Sequence, residues 1–420
     1  METYKLILLF TYLAILLFNY YLDYLNIRHV KNNIDLIPPE FKGHIDEELL
    51  KKSQNYLIDN TKFDFVASVF NNVLFLAFIF GGILDWYNSW IRSLNLSFIV
   101  SGIVFFLLLT YAETFFTLPF SLYHTFRIEK KYGFNTMTFR LWVSDLVKSL
   151  VISTVLMLIV LAAAFWLIQW SQERWWLWIW GFFLIFSVFM MYIAPYVIEP
   201  LFNKFTPVEG EDGLEESIQR LMDKAGIHVS QVFKIDASKR STHTNAYFTG
   251  IGKVKRIVLY DTLLKKLTHG EILTILAHEA GHWKKKHVLK RIVVSEAIAL
   301  LVLYIAFVLL QNDLLTRLFS IDEGTFFAKV VVLGFIAAIA AFPFEPVSSY
   351  FSRRQEQEAD AFAFQFTDDA RSMASALVKL SRDNLSNLHP HPLYAMFHYS
   401  HPPVVQRIRT IQGFTDDKPA

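Results

Sequence analysis

The stretch "ILAHEAGHWKKKH" (275–287) sets two histidines four residues apart, with a glutamate directly after the first. Just upstream, Thr268 with Glu271 three residues on forms a capping-box signature ahead of the apolar Ile272, Ile275 and Leu276, so the stretch is expected to be helical. Positions four apart lie on one helix face, with Cβ atoms roughly 5–6 Å apart. His278 and His282 can therefore converge on one ion while Glu279 stands beside it, the His-Glu-x-x-His arrangement of zinc peptidases. Neutral imidazoles suit zinc, and a third protein ligand leaves one coordination position for water. Zinc lowers the pKa of such a water to about 7 and polarises a scissile carbonyl, and the glutamate passes the proton to the leaving amine. Glu279 is the expected base.

A third ligand must be His, Asp or Glu, because the chain contains no Cys. His287 follows three lysines and lies five residues past His282, about 140° around a continuing helix. It is expected to be solvated or interfacial. The better source is "RRQEQEADAFAF" (353–364), where Glu356 and Asp360 share a helix face and Glu358 points elsewhere. One carboxylate there could ligate the ion, and the other could accept the free N–H of a ligand histidine and fix its tautomer.

These residues belong to a chain that is 54% hydrophobic, with 40 Phe, 18 Tyr and 10 Trp and only 19% charged residues, too apolar for an ordinary soluble protein. A formal net charge of +2 argues against nucleic acid as a partner. Nearly charge-free runs close to the ~20 residues that cross a bilayer occur at 6–22, 65–84, 93–126, 149–172, 175–198, 297–312 and 330–343. The third is broken by Glu113, and its membrane part is expected to end near Pro119. Glu113 itself is expected to face a wet cavity or a basic partner. The first run lacks the small-residue cleavage site of a signal peptide and reads as a retained span. Arg28, Lys31, Lys42, Lys51, Lys52 and Lys62 follow the first run, and Arg127, Lys130, Lys131, Arg140 and Lys148 follow the third. Both stretches should be cytoplasmic, which puts the amino terminus outside and the histidines inside.

Between the fifth and sixth runs lies a polar segment, 199–291. Leu214, Ile218 and Leu221 recur there at helical spacing, while 231–237, 245–250 and 254–260 read as short strands.

Five segments, "LPFSLYHTFRIEKKYGFN" (118–135), "RSTHTNAYFTG" (240–250), "LAHEAGHWKKKH" (276–287), "SRRQEQEADAFA" (352–363) and "YSHPPVVQRI" (399–408), together resemble the CAAX prenyl endopeptidase family of gluzincin-type membrane metalloproteases. The resemblance implies one zinc ion per chain on His278, His282 and Glu356, with Glu279 as base and Asp360 supporting a ligand. It further implies that Asn245 and Ala246 lie on an edge strand that pairs with the substrate backbone. His401 and Arg407 would approach the substrate or its developing oxyanion, although Arg407 could equally pair with a structural carboxylate. The fold implied is predominantly α-helical, with seven transmembrane helices forming a barrel around an intramembrane chamber and a small α+β protease region on the cytoplasmic side. In this division, 1–200 holds spans one to five, 201–288 the protease region, 289–350 spans six and seven, and 351–420 the C-terminal region with the third ligand.

The expected partners are a prenylated peptide or protein and the lipid bilayer. Eukaryotic family members are usually longer and carry cysteines; this chain has no Cys and no obvious C-terminal retrieval signal, which favours a bacterial inner membrane over the endoplasmic reticulum. A host without prenylated proteins would leave damaged or misfolded membrane proteins as substrates. From a different class comes a transporter or scaffold with a spent metal site, against which the intact Glu279 argues.

Overall fold

The computed structural model describes residues 2–208, 213–249 and 254–416, so Gly250, the last residue of one expected strand, lies outside the described residues. The membrane part opens with α1 (Glu2–Asn32), α2 (Glu47–Phe80), α3 (Ile83–Ser93), α4 (Phe98–Tyr123), α5 (Phe139–Trp170) and α6 (Trp175–Ile193). A polar region follows, with α7 (Leu214–Lys224), a sheet and α8 (His269–Lys284). The chain then returns as α9 (His287–Leu310), α10 (Leu314–Leu318) and α11 (Phe326–Ala341). It finishes with α12 (Glu345–Thr367), α13 (Ala370–Asp383), α14 (Pro392–His398) and α15 (Val404–Asp416).

Among the described residues, seven helices are long and apolar enough to cross a membrane: α1, α2, α4, α5, α6, α9 and α11, some with extensions. Each packs chiefly on two others. α1 meets α2, α2 meets α4, and the series continues through α5, α6, α9 and α11 back to α1, closing a ring. Little of each span's surface is buried, as expected when helices have lipid outside and an open interior inside. One end of this barrel is closed by an apolar cluster that joins Leu84, Tyr87 and Ile91 of α3 and Leu315 of α10 to Phe105, Phe165, Phe327 and Phe335 of the spans. The Tyr87 hydroxyl donates to the Phe105 carbonyl at 2.8 Å and fixes α3 across the opening.

At the other end the spans outrun the bilayer. α2 has 34 residues, a length of about 50 Å against a hydrocarbon core of about 30 Å. Its surplus is the polar first half, where Leu50 joins a core with Met373, Val378, Ile408 and Ile411 of α13 and α15.

One expected run boundary moves. The second run stops at Gly81–Gly82, where Gly82 takes a φ of 80° and turns the chain, so Leu84 belongs to α3. At Pro119, where the membrane part of the third run is expected to end, the helix itself does not: α4 runs through it to Tyr123 and continues in π-type turns over His124–Glu129. Proline removes one backbone donor, and in lipid the remaining groups keep their pairing only by staying helical. Glu113 is exposed, and among the described residues it has no ion-pair partner, so the expected basic partner is not found.

The sheet consists of β1 (Phe205–Pro207), β2 (His228–Ile235), β3 (Ala246–Thr249) and β4 (Val254–Tyr260), in the order β1-β2-β4-β3. β2 and β4 are parallel; the other pairs are antiparallel. β1 is three residues long and ends in proline, too short for alternation to reveal it. Val232, Ile257 and Leu259 of the sheet share one core with Ile218 and Met222 of α7 and Ile272, Leu276 and Ala280 of α8.

The α8 capping box is formed in full by Thr268 and Glu271. Glu271 also accepts from Ser375 Oγ at 2.6 Å and Lys379 Nζ at 2.8 Å, fastening the start of α8 to α13. Glu271→Ala is expected to lower unfolding stability in detergent by roughly 3 kcal/mol, because it strips a buried ion pair, whereas Thr268→Ala should cost about 1 kcal/mol. Equal losses in denaturant or thermal unfolding would show that the contact to α13 contributes nothing.

Candidate active site

α8 and α12 cross at two small residues. A Cβ on Gly281 would lie 3.1 Å from both the Cα and the carbonyl oxygen of Ala359, so the backbones meet as closely as they do only because both residues are small. α12 is the near-continuous extension of the seventh span, and this carries Glu356 and Asp360 out to face His278 and His282 on α8.

His278 Nε2 lies 3.2 Å from His282 Nε2, and the Glu356 carboxylate is 3.3 Å from each. The hydrogen-bonding groups behind them define the protons. His278 Nδ1 is 2.7 Å from Asp360 Oδ1, at an angle too oblique for a linear hydrogen bond, and the carboxylate favours the proton on Nδ1. His282 Nδ1 is 3.0 Å from His287 Nδ1, and His287 Nε2 is 3.1 Å from Glu358 Oε2. With Glu358 accepting from His287 Nε2–H, His287 Nδ1 carries a lone pair and accepts from His282 Nδ1–H. Both Nε2 lone pairs then face each other and the Glu356 carboxylate, whose Oε2 is buried without a hydrogen-bond donor.

Such an arrangement is repulsive without a cation and suits one well. Donors arranged tetrahedrally about an ion at about 2.1 Å stand roughly 3.4 Å apart, close to the 3.2–3.3 Å found here. Among the described residues no other His, Asp and Glu group meets these conditions.

His287 thus corrects the expectation of a solvated or interfacial residue: it is 1% exposed. The 140° argument presumed a continuing helix, but α8 ends at Lys284 and Lys286 takes a left-handed φ of 57°, so the chain turns and the ring swings back under His282. Glu358 points away from the donor set as expected, yet it faces His287 and Arg354.

Glu279 lines a cavity of about 170 Å³ together with His278, Asn245, Ala246, His401 and Arg407. Burial pushes its carboxyl up from the ordinary value. β3 is the sheet edge on this cavity. Tyr260 N–H donates to the Asn245 carbonyl at 3.1 Å, which makes that pair hydrogen-bonded; the next pair, Ala246 with Leu259, is then the non-bonded kind. The Ala246 N–H and C=O therefore point away from β4 to the open side, where Asn245 Oδ1 accepts from the N–H at 2.9 Å.

His401 Nε2 is 3.3 Å from Glu356 Oε2, and its Nδ1 is 2.9 Å from Ser400 Oγ. Burial pulls the pKa of His401 down. Arg407 grips Asp360 with both Nε, at 2.8 Å, and Nη2, at 2.6 Å. Burial alone would lower the Arg407 pKa, and Asp360 overrides it and holds it up. Arg407 thus pairs with a carboxylate, the second of its two sequence readings, and it also lines the cavity. The opposite wall, Met373, Ala376, Leu377 and Leu380 of α13, was not anticipated. Its signal was an apolar stripe at helical spacing, which by itself reads as core.

Two histidines from one helix and a glutamate from a second are the donor set of gluzincin-type metalloendopeptidases, and this chain carries that set at one end of a seven-helix membrane barrel. Residues 26–204 match the family described as CAAX prenyl protease N-terminal, five membrane helices, and residues 210–415 match Peptidase family M48. The chain belongs to peptidase family M48, in its CAAX prenyl protease branch. It is 34% identical to the CAAX prenyl protease 1 homolog of Arabidopsis thaliana, covering 94% of this chain and 95% of the relative. It is 32% identical to CAAX prenyl protease 1 of Saccharomyces cerevisiae, over 91% and 90% of the two chains. The crystal structure of Ste24p from S. mikatae superimposes with a TM-score of 0.89 at 31% identity, covering 97% of this chain and 98% of that one.

His287→Ala should weaken metal binding about 10- to 100-fold by freeing the His282 ring, read as metal retained per chain against a graded chelator. Unchanged retention would mean that His287 only fills space. Gly281→Val should separate α8 from α12 and leave little metal bound in the same assay.

Proposed function

We propose that the metal is zinc and that the chain is an endopeptidase cutting near the C-terminus of prenylated CAAX-type proteins, with Glu279 as general base. The observation that carries this reading is the convergence of His278, His282 and Glu356 at 3.2–3.3 Å beside Glu279 in a cavity bounded by an open strand edge. When bound, zinc supplies a Lewis acid that polarises the scissile carbonyl and acidifies water.

The chain's own residues do the rest. The outward N–H and C=O of Ala246 pair with an extended peptide in a way that tolerates sequence, and Asn245 releases that N–H as the peptide arrives. Glu279 takes a proton from water and gives it to the leaving amine, a task helped by a burial-raised carboxyl that both accepts and releases a proton readily. His401, and Arg407 through Nη1, stand on the side where negative charge develops on the carbonyl oxygen. Asp360 keeps His278 in the ligand tautomer and is itself held by Arg407. The apolar wall of α13 suits an aliphatic substrate side chain next to the scissile bond.

The site faces the cytoplasm in this reading, because the stretches that carry the basic residues after the first and third runs meet the protease region, through Leu50 against α13 and α15 and through Asp145 with Arg240. A prenyl chain would enter the interior of the ring from the bilayer. The relatives named above are all eukaryotic and lend nothing to a bacterial membrane.

Purified protein with zinc is expected to cut a farnesylated CAAX peptide faster than the same peptide without lipid. Glu279→Ala should lose at least about 10³-fold in kcat while keeping one zinc per chain. Equal cutting of both peptides would move the substrate to proteins recognised without lipid; zinc binding without cutting would sink the substrate assignment. Ala376→Phe should narrow the cavity and raise KM for peptides bearing leucine or isoleucine beside the cut far more than for those bearing alanine.

A further inference from the structure

Two of the segments that carried the family resemblance, 118–135 and 240–250, contain Glu129 and His243, residues to which hydrolysis gives no task. The fold brings them together behind the cavity. Past Tyr132, Gly133 takes a φ of 87° and turns the chain, and the N–H groups of Phe134 and Asn135 both donate to the Glu129 carbonyl, at 2.8 and 3.2 Å. The next residues run antiparallel to the segment that leads into β3. Thr242 N–H donates to the Phe134 carbonyl at 3.0 Å, Thr136 N–H donates to the Arg240 carbonyl at 3.3 Å, and Asn135 bridges to Ser241.

His243 is the hub of this junction. Its Nδ1 lies 2.9 Å from Oδ1 of Asn384, the residue that ends α13, and its Nε2 lies 3.3 Å from Oε2 of Glu129. Its ring stacks on Phe134 with centroids 4.1 Å apart and planes 17° apart. The other Glu129 oxygen accepts from the Tyr56 hydroxyl of α2 at 2.6 Å, and the His243 carbonyl accepts from Thr262 Oγ1 at 2.7 Å. With an acceptor on each nitrogen and a ring against one face, the imidazole has no freedom to swing.

The importance of the junction lies in what its partners belong to. Asn384 ends the helix whose Met373, Ala376, Leu377 and Leu380 make one wall of the cavity, and His243 directly precedes Thr244, where the other wall begins and continues through Asn245 and Ala246. His243 is thus the cross-tie between the two walls, and Glu129 anchors that tie to the third span. None of the three lines the cavity.

We propose that Glu129, His243 and Asn384 form a clamp that sets the spacing between the β3 edge and α13, and with it the register of a peptide bound over the metal donors. The three are positioning residues acting through Asn245 and Ala246. This inference rests on the reading of β3 as the strand that pairs with substrate. Because the Ala246 N–H and C=O hold an extended peptide through hydrogen bonds that weaken steeply with distance and angle, a clamp two residues from Asn245 governs how tightly that peptide is held.

The test uses the full-length protein in detergent with zinc, the farnesylated CAAX peptide as substrate, and three readouts: steady-state kinetics, zinc per chain and thermal midpoint. His243→Ala and Asn384→Ala should raise KM about tenfold, the equivalent of one substrate hydrogen bond, with kcat and zinc content little changed. Asn384→Asp keeps an oxygen where His243 Nδ1 points and should hold KM within about twofold of the parent. A KM unmoved in both alanine variants overturns the clamp, and so does a parallel fall of kcat, zinc and stability, which marks a general structural role. If His243→Ala does not fold, the contrast between Asn384→Ala and Asn384→Asp decides: equal KM values reject the clamp. A parent protein that binds zinc but leaves the peptide uncut overturns the substrate reading and the clamp resting on it; a cutting parent with unmoved variants overturns the clamp alone.

Discussion

The structure depends on one close crossing. Where Gly281 meets Ala359 the two helices approach so nearly that three ligand atoms with outward lone pairs gather within van der Waals reach of one another. Lone pairs turned towards one point suit a cation there only if the rings are kept from swinging away. The pairs behind each ring do this: Asp360 and Arg407 behind His278, His287 and Glu358 behind His282. Each ring is held from its far nitrogen, which leaves the near nitrogen free to bind.

That crossing also explains how membrane and protease are joined. Glu356 stands on the extension of the seventh span, and the two histidines stand on a helix joined to the sixth by the turn at Lys285–Lys286. The donor set therefore exists only when the ring of spans is closed and in register. The far end is held shut by the apolar cluster of α3 and α10 together with polar ties such as Tyr87 to the Phe105 carbonyl and Thr325 Oγ1 to Asn88 Oδ1. Hydrogen bonds tighten the remaining end, where α2 and α4 outrun the bilayer and their polar ends meet the protease region.

Most of the site chemistry was legible in the chain. His278, Glu279 and His282 announce themselves by helical spacing and a capping box, and the absence of cysteine confines the third ligand to a short set. The spans were legible because lipid allows few alternatives to an uninterrupted apolar helix. The roles of Asn245, Ala246, His401 and Arg407 came from family resemblance and not from periodicity, since a strand edge or a loop histidine has no local signature. The end of the second run was misplaced for a related reason: hydropathy does not distinguish a helix that stops at two glycines from one that continues.

The sequence by itself determined that His278 and His282 can share a metal with one of the carboxylates at 356 and 360, that seven segments belong in a bilayer, and that a mixed α and β region lies between the fifth and sixth. These follow from short-range physics: side-chain spacing on a helix, the transfer of apolar surface, and the donor chemistry of imidazole and carboxylate. Only the tertiary structure decided that His287 is buried behind His282, that Arg407 clasps Asp360, that the apolar stripe of α13 faces a cavity, and that His243 ties the two walls of that cavity together. Each of those contacts joins segments far apart in the chain or separated by a reversal such as that at Lys286, and a linear pattern carries no information about the angle at which the chain comes back.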